Sequence, residues 1–352
     1  MLEQGEVQRI LVVRRDNIGD LVCTTPLLTA LRMRFPHAQL AALTNSYNLP
    51  VLAHNPDLDA VHAYVKLKHR PPERSLLHWL WHDRLGFSLA IRRQKFDLVV
   101  LAAPDFNAGA AKLARITGAQ DVLGVTPDGR PGHGINLVAS VPPAARHEVE
   151  RVFAVANMLG IAGEPPPLKL APATVAVEQM RRHFARSTSA PPLIGVHISA
   201  RKPSQRWPAE RFAKLLRNLK QSSDCHFALF WSPGTADNPL HPGDDETARR
   251  LLDGLGDIPV TPLHTNGLEA LIAGLAVCDM LICSDGGAMH LAAALRIPIV
   301  CMFGDSDAAR WHPWGVDYEL LQTPSREVID IGVETVVAAC GRILARSARF
   351  AD

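Results

Sequence analysis

A glycine turn in the second half of the chain has the residue types of an anion-binding site. An apolar, strand-like run leads into Asp285-Gly286-Gly287, and a short helical stretch with His290 follows. A strand that ends in a glycine turn before a helix presents unpaired N–H groups, here those of Gly286, Gly287 and Ala288, and the positive end of the helix dipole. We therefore expect a phosphate site with Asp285 and His290 beside it. From the residues alone, a helix cap at Asp285 and an interior histidine at His290 are equally open.

A second polar loop, residues 16–20, follows the first apolar run of the chain. A carboxylate in the first turn of the next helix is favoured in its ionised form by the helix dipole, and it can accept a proton from an attacking hydroxyl. Asp20 is therefore a candidate general base, although an acid here can also serve only as a helix cap. For Asp16 we favour the cap. Asn17 and Gly19 lie beside Asp20, and we expect them on the acceptor side.

A third loop, residues 199–207, follows the strand-like run 193–197 and precedes a helical stretch. It offers hydroxyl, amide and cationic side chains, which together suit a diphosphate. The candidate donor-binding residues in this loop are Ser199, Lys202, Gln205 and Arg206.

All three loops belong to an alternating pattern of strands and helices. Strand-like runs at 39–43, 60–65, 96–101 and 121–125 alternate with helical stretches, and the pattern restarts at residue 193. Such alternation is typical of an α/β fold with doubly wound parallel sheets. Because 352 residues are too many for one ordinary core, we predict two Rossmann-like domains.

A proline-rich stretch at 163–167 separates the two halves, because proline fits neither a helix interior nor a central strand. We place an N-terminal, acceptor-binding domain at 1–165, a linker at 166–190 and a C-terminal, nucleotide-sugar-binding domain at 191–352. The amphipathic stretch at 334–346 can pack back on the N-terminal domain. Ligands of such sheets bind outside the carboxyl ends of the strands, so we expect the domains to face each other across a cleft.

Composition excludes little. The formal net charge is +2, which provides no global argument for nucleic acid, and no apolar run reaches the roughly 20 residues of a membrane helix. The N-terminus lacks a charged region followed by an apolar one, so we expect a cytoplasmic protein. Six cysteines stand in apolar surroundings without a close pair, and we interpret them as reduced core residues. They are Cys23, Cys225, Cys278, Cys283, Cys301 and Cys340.

Four segments occur in an order and at separations that resemble glycosyltransferase family 9, the bacterial heptosyltransferases of lipopolysaccharide core synthesis. They read DNIGDLVCTTPLLTALRMRFPHAQL, FDLVVLAA, GVHISARKPSQRWPAERFAKLL and SDGGAMHLAAALRIPIVCMFGDSDAARWHPWG. The resemblance spans nearly the whole chain and implies the GT-B fold, with two Rossmann-like domains.

The resemblance also implies an activity. Family members transfer a heptose from ADP-heptose to a Kdo or heptose hydroxyl of a lipopolysaccharide acceptor, with inversion of the anomeric centre and without a metal or other cofactor. Asp20 then corresponds to the family's base, and Asp285 and His290 belong to the donor site. Asp244 matches an acid that contacts the ribose hydroxyls, but it can equally be a solvated acid at a helix N-terminus.

Two departures from the family concern the donor loop. The family commonly has lysine where this chain has Gln205, an amide that donates hydrogen bonds but cannot neutralise charge. Lys202 or Arg206 can supply the missing cation. The familiar His-x-Gly-Ala turn is altered to His197-Ile198-Ser199-Ala200. Two alternatives therefore stay open: a GT-B enzyme with a different nucleotide-sugar donor, and a catalytically silent nucleotide-sugar-binding homologue.

A basic stretch at 66–95 contains interleaved Leu, Trp and Phe side chains, which suits an anionic amphiphile. We expect Lys66, Lys68 and Arg70 to contact an anionic glycolipid acceptor, with peripheral contact at the cytoplasmic face of the inner membrane. An amphipathic helix that buries its Trp79 side is the alternative. No nucleic-acid-binding module accompanies the stretch, and we expect no nucleic-acid partner.

Overall fold

The computed structural model describes residues 7–64, 85–187, 190–237, 242–265 and 267–348. The chain divides into two compact units, Met1–Ala171 and Pro172–Asp352.

The described residues of the first unit form a six-stranded parallel sheet in the order β3-β2-β1-β4-β5-β6. The central strand pairs on both sides, with Leu11 opposite Ala41 on one neighbour and opposite Val99 on the other. Because helices cover both faces of such a sheet, its inner strands consist of continuous apolar runs. The strands are β1 Arg9–Val13, β2 Gln39–Asn45, β3 Ala60–Tyr64, β4 Leu98–Leu101, β5 Asp121–Gly124 and β6 Leu137–Val138.

The helix after β1 is shorter than its sequence suggests. The apolar pattern predicts one helix from about residue 21 to residue 35, but the structure has two, separated at Cys23 and Thr24. Pro26 lies in the first turn of the second helix, where its missing N–H costs nothing, and it cannot continue a helix from before. The helices of this unit are α1 Ile18–Val22, α2 Thr25–Arg34, α3 Leu49–Leu52, α4 Gly86–Arg93, α5 Ala108–Thr117 and α6 Glu148–Phe153, with a 3-10 helix at Ala154–Leu159.

The second unit repeats the same topology, with six described parallel strands in the order β12-β11-β10-β7-β8-β9. Its two edge strands, β9 and β12, are only half-buried. Their mixed polar and apolar residues do not stand out in the sequence, and they were not predicted. The strands are β7 Leu193–His197, β8 His226–Trp231, β9 Val260–His264, β10 Met280–Ser284, β11 Ile299–Phe303 and β12 Tyr318–Gln322.

The described helices of the second unit include a C-terminal helix that packs on α8 and on the edge of the unit's own sheet. Val336, Ala339, Cys340 and Ile343 of that helix are fully buried in the unit's core. The helices are α7 Thr174–His183, α8 Ala209–Ser222, α9 Asp245–Asp253, α10 Leu268–Leu275, α11 Gly287–Ala294, α12 Ala308–Trp311 and α13 Val333–Ala348, with 3-10 helices at Pro203–Gln205 and Val328–Asp330.

All six cysteines are buried, as predicted. Within the described residues, no helix combines the length and apolar character that crossing a bilayer requires.

Candidate active-site loops

Asp20 lies in the third position of α1, at the carboxyl end of β1, and its carboxylate accepts three hydrogen bonds. Arg14 Nη2 donates to Oδ1 at 2.7 Å, and the backbone N and side-chain Nδ2 of Asn17 donate to Oδ2 at 2.9 and 3.1 Å. A carboxylate has about four lone-pair positions, so one acceptor position on Oδ1 stays open among the described residues. The side chain keeps 13% of its surface exposed, and the open position suits a hydroxyl.

Arg14 is itself almost fully buried and is surrounded by oxygen atoms. Its Nη2 also donates to Glu148 Oε1 at 3.0 Å, its Nε lies 3.1 Å from Asp16 Oδ2, and its Nη1 donates to the carbonyl oxygen of Ala102. Burial alone would lower the pKa of Arg14, but the nearby charges of Asp20, Asp16 and Glu148 raise it above its ordinary value. The guanidinium therefore stays charged and holds the loop between β1 and α1.

Asparagine side chains fix the same loop from β2 and the turn after it. Asn45 and Asn48 donate their amide nitrogens to the carbonyl oxygen of Asp16 at 3.3 and 3.0 Å. Asn107, which caps α5, donates to Asp16 Oδ1 at 3.4 Å. Asp16 therefore has a structural part in this loop, but the helix cap expected of it is wrong, because Asn17 is the N-cap of α1.

The glycine turn of the second unit has the predicted geometry of strand, turn and helix. β10 ends at Ser284, Gly286 precedes α11, and α11 begins at Gly287. β10 and β11 are parallel neighbours, and α11 is the crossover between them. The first N–H groups of α11 have no partner within the helix. His290 is 3% exposed, and its ring lies 5.9 Å from the ring of Trp311 in an edge-on arrangement.

Gln205 joins the donor loop to the glycine turn. Its Nε2 donates to Asp285 Oδ2 at 2.8 Å and to Ser306 Oγ at 2.9 Å, and the side chain is 5% exposed. A neutral amide thus stands beside the carboxylate where the family commonly has a cation. The pair brings the loop after β7 and the loop after β11 together at Asp285.

Lys202 and Ser204 bind the loop after β11 from the other side. Both donate to Asp305 Oδ1, at 3.1 and 3.0 Å. A hydrogen bond from Lys202, followed by one from Ser204, lowers the pKa of the exposed Asp305 carboxyl. Gly304 makes this contact possible, because a Cβ at that position would lie 2.4 Å from the carbonyl oxygen of Ser204. Through these contacts Asp305 holds the loop after β11 against the loop after β7.

Asp244 lies directly before α9 and is 4% exposed. Arg206 Nη1 donates to its Oδ1 at 3.4 Å, as does Thr247 Oγ1 at 3.5 Å. Its Oδ2 is buried without a hydrogen-bond donor among the described residues. A buried carboxylate oxygen in this condition is costly, and a ligand hydroxyl would satisfy it. Of the two alternatives for Asp244, the solvated acid is wrong, because the side chain is buried.

His197 is the last residue of β7, and Ser199 lies two residues after it. Ser199 Oγ accepts a hydrogen bond from the backbone N of Ser232 at 2.8 Å, which ties the ends of β7 and β8 together and leaves its O–H proton available for a ligand. Protein surrounds His197 on most sides, although part of its surface is accessible. This burial lowers the pKa of His197 to about 4, against a small opposing hydrogen bond to the Ser199 backbone. The imidazole is therefore neutral at pH 7.

The structure places the predicted donor-binding residues in the segments that follow three neighbouring strands, β10, β7 and β8. On the acceptor side, Asn17 and Gly19 lie in the Asp20 loop, with Gly19 buried in α1. Lys66, Lys68, Arg70 and Trp79 fall outside the described residues.

Three polar residues in or beside these loops were not predicted from the sequence. Arg14 is a charged residue at the end of an apolar strand, which is a usable signal. Glu148 is separated from Arg14 by 134 positions, and Ser306 from Gln205 by 101, so no local pattern could have joined either pair.

Comparison with known proteins decides the protein family to which the chain belongs. Residues 84–334 match the family model described as glycosyltransferase family 9 (heptosyltransferase). The chain belongs to glycosyltransferase family 9. The resemblance inferred from the sequence is thereby confirmed, and this family 9 member is a glycosyltransferase.

Relatives of this family 9 chain match over nearly their whole length. Lipopolysaccharide heptosyltransferase 3 of Escherichia coli (strain K12) is 24% identical over 95% of this chain and 97% of its own. A family 9 glycosyl transferase from Veillonella parvula superposes with a TM-score of 0.80 at 22% identity, covering 96% and 97% of the two chains. An E. coli heptosyltransferase solved with ADP-2-deoxy-2-fluoro heptose superposes with a TM-score of 0.74 at 20% identity, covering 95% and 99%. The GT-B class predicted for the fold is confirmed.

Proposed function

We propose that this chain transfers a heptosyl group from ADP-heptose to a Kdo or heptose hydroxyl of a lipopolysaccharide core acceptor, with inversion of the anomeric centre. The observation that supports the proposal most strongly is the Asp20 carboxylate, which is held in one orientation by Arg14 and Asn17 and keeps one open acceptor position. Family membership and the full-length match to lipopolysaccharide heptosyltransferases support the choice of sugar.

Asp20 acts as the general base in this proposal. The acceptor hydroxyl donates to the open position of Oδ1 and passes its proton to the carboxylate as its oxygen attacks the anomeric carbon. The bond from that carbon to the diphosphate oxygen breaks on the opposite face, which inverts the centre. General-base help of this kind is worth about 10² to 10⁴ in rate.

The leaving ADP is stabilised by the second unit. The N–H groups of Gly286, Gly287 and Ala288 and the dipole of α11 receive the diphosphate. Lys202 and Arg206 supply positive charge beside Gln205, and the Ser199 hydroxyl and His290 donate hydrogen bonds. Because backbone dipoles and cations carry out the neutralisation, we propose that no divalent metal is needed, and that activity persists after treatment with EDTA.

Asp244 binds the ribose of the donor. Its buried Oδ2 lacks a donor among the described residues, and a ribose hydroxyl is a donor of suitable size. A charged acceptor for one or both ribose hydroxyls adds affinity for a ribonucleotide over its deoxy form.

The acceptor is an anionic glycolipid. Asn17 and Gly19 adjoin the base, and Lys66, Lys68 and Arg70 of the basic stretch are proposed to meet acceptor carboxylates and phosphates. Helix α4 lies at the C-terminal end of that stretch. Leu85 and Leu89 are exposed around its first turns, and Arg92 and Arg93 lie in its last turn. This composition supports peripheral contact with an anionic membrane surface.

A second candidate is transfer from a different nucleotide sugar, and the Gln205–Asp285 hydrogen bond favours it. Loss of a cation at this position changes the charge that the donor meets, although the phosphate cradle is retained. Thermal shifts with ADP, UDP, GDP and CMP separate the two candidates. The catalytically silent homologue remains the third outcome, in which nucleotide binds and no sugar is transferred.

The test of the proposed function is a product assay. Purified protein is incubated with ADP-heptose and with truncated core acceptors, and the acceptor mass is followed. The proposal predicts addition of one heptosyl residue and release of ADP. Stabilisation by UDP or GDP but not by ADP, with no product from ADP-heptose, contradicts it.

A further inference from the structure

Glu148 is a buried carboxylate next to the proposed base. Its side chain has no exposed surface. Its Oε1 accepts from Arg14 Nη2, the nitrogen that also donates to Asp20 Oδ1, at 3.0 and 2.7 Å respectively. A terminal guanidinium nitrogen has two hydrogens, so one nitrogen bridges the two carboxylates and uses one proton for each.

The bridge affects the base through charge. A carboxylate that faces an unshared cation is a poor proton acceptor, because the cation favours its ionised form. Arg14 is 4% exposed, so water screens this interaction weakly. The negative charge of Glu148 offsets part of the positive charge that Arg14 presents to Asp20. The hydrogen bond from Arg14 to Glu148 also fixes the orientation of the guanidinium group toward Asp20.

We propose that Glu148 is a positioning residue that sets the orientation and the basicity of Asp20 through Arg14. The proposal rests on the function proposed above, in which Asp20 is the base. Glu148 itself touches no substrate, since Arg14 and the core surround it.

Other charged and titratable groups also lie around this bridge. Asp16 pairs with Arg14 Nε. Burial, followed by the charges of Glu148 and Asp20, raises the pKa of the Cys23 thiol, which therefore remains neutral. Arg151 Nε lies 4.0 Å from Glu148 Oε2, and Arg151 Nη2 donates to the exposed Asp105 at 3.2 Å. His147, which precedes Glu148, accepts from the backbone N of Val149 through Nδ1.

The test compares Glu148→Gln with Glu150→Gln. Glu150 lies on the same helix turn and accepts from the backbone N of His147 at 2.9 Å, so its loss weakens the helix without a contact to Arg14. In Glu148→Gln, the acid limb of the kcat–pH profile is expected to move down by about one unit and kcat to fall about three- to tenfold, with a smaller change in KM. Glu148→Asp keeps the carboxylate, so the acid limb is expected to lie close to its wild-type pH. In Glu150→Gln, Tm is expected to fall while the acid limb stays at its wild-type pH.

An NMR titration of the Asp20 carboxyl carbon compares the same two variants in the absence of the donor and acceptor substrates. The midpoint for Asp20 is expected to fall in Glu148→Gln and to stay in Glu150→Gln. An unchanged midpoint in a folded Glu148→Gln variant overturns the inference, even when Asp20→Ala abolishes transfer. Absence of heptosyl transfer contradicts the proposed function and leaves the titration to decide about Glu148.

Removal of the whole buried pair provides a second variant in case Glu148→Gln does not fold. Replacing both members of such a pair is tolerated better than replacing one. The double variant Arg14→Gln/Glu148→Gln leaves Asp20 without its cation, so its midpoint is expected to rise. An unchanged midpoint in this variant also overturns the inference.

Discussion

Gln205 Nε2 lies 2.8 Å from Asp285 Oδ2, so a neutral amide faces the carboxylate that opens the glycine turn. In Gln205→Lys, we expect a cation to pair with Asp285 and to strengthen the proposed diphosphate site. Charge-assisted hydrogen bonds exceed neutral ones by about 1 kcal/mol, so KM for the donor should fall about fivefold. Steady-state kinetics at low and high salt measure this effect, which should shrink as salt rises.

Gln205→Met serves as the matched control, because it keeps the size of the side chain and removes both hydrogen bonds. It leaves Asp285 without this donor, so donor KM should rise. An unchanged donor KM in Gln205→Lys would show that the amide lies away from the diphosphate.

Asp244→Asn tests the proposed ribose contact. The substitution keeps the size of the side chain and removes the charge that the ribose hydroxyls would meet. Affinity for ADP should fall about tenfold, whereas affinity for 2′-deoxy-ADP should change much less. Calorimetry with both nucleotides on both proteins measures the difference, and equal losses for the two nucleotides would contradict a ribose contact.

His197 makes the folded protein sensitive to acid. Its folded pKa of about 4 lies below its ordinary value of 6.5, so the unfolded chain takes up the proton first as the pH falls. The stability from this residue is complete above pH 6.5 and is lost progressively between pH 6.5 and 4. Between pH 8 and pH 4.5 the free energy of unfolding should fall by about 2 to 3 kcal/mol more in the wild type than in His197→Gln.

Urea unfolding at the two pH values measures this difference. His226→Gln is a suitable control, because His226 lies at the exposed start of β8 and should leave the pH dependence as it is. Equal losses in the wild type and in His197→Gln would contradict the assigned effect of burial.

Short contiguous sequence patterns correctly predicted the glycine turn and the loop after β1. The glycine turn and the loop after β1 are each contiguous, and a buried strand on their N-terminal side makes them visible. The edge strands β9 and β12 were missed because half-buried strands have no continuous apolar run. The break at Thr24 depends on Pro26, whose effect on the preceding turn was not recognised.

Long-range polar pairs explain why the sites were predicted only in part. Asp20 and Asp285 were found because each follows a strand, whereas Glu148 reaches Arg14 and Ser306 reaches Gln205 only after the sheets form. The burial of Asp244 was also beyond the sequence, since an acid at a helix start is more often solvated.

The role of Asp20 as general base is tested most directly by single-turnover transfer of heptose from ADP-heptose in Asp20→Asn and Asp20→Ala, with circular dichroism and ADP affinity as controls. We predict that both variants fold and bind ADP, and that the rate of transfer falls by about 10² to 10⁴. Full transfer rate in a folded Asp20→Ala variant would contradict the account.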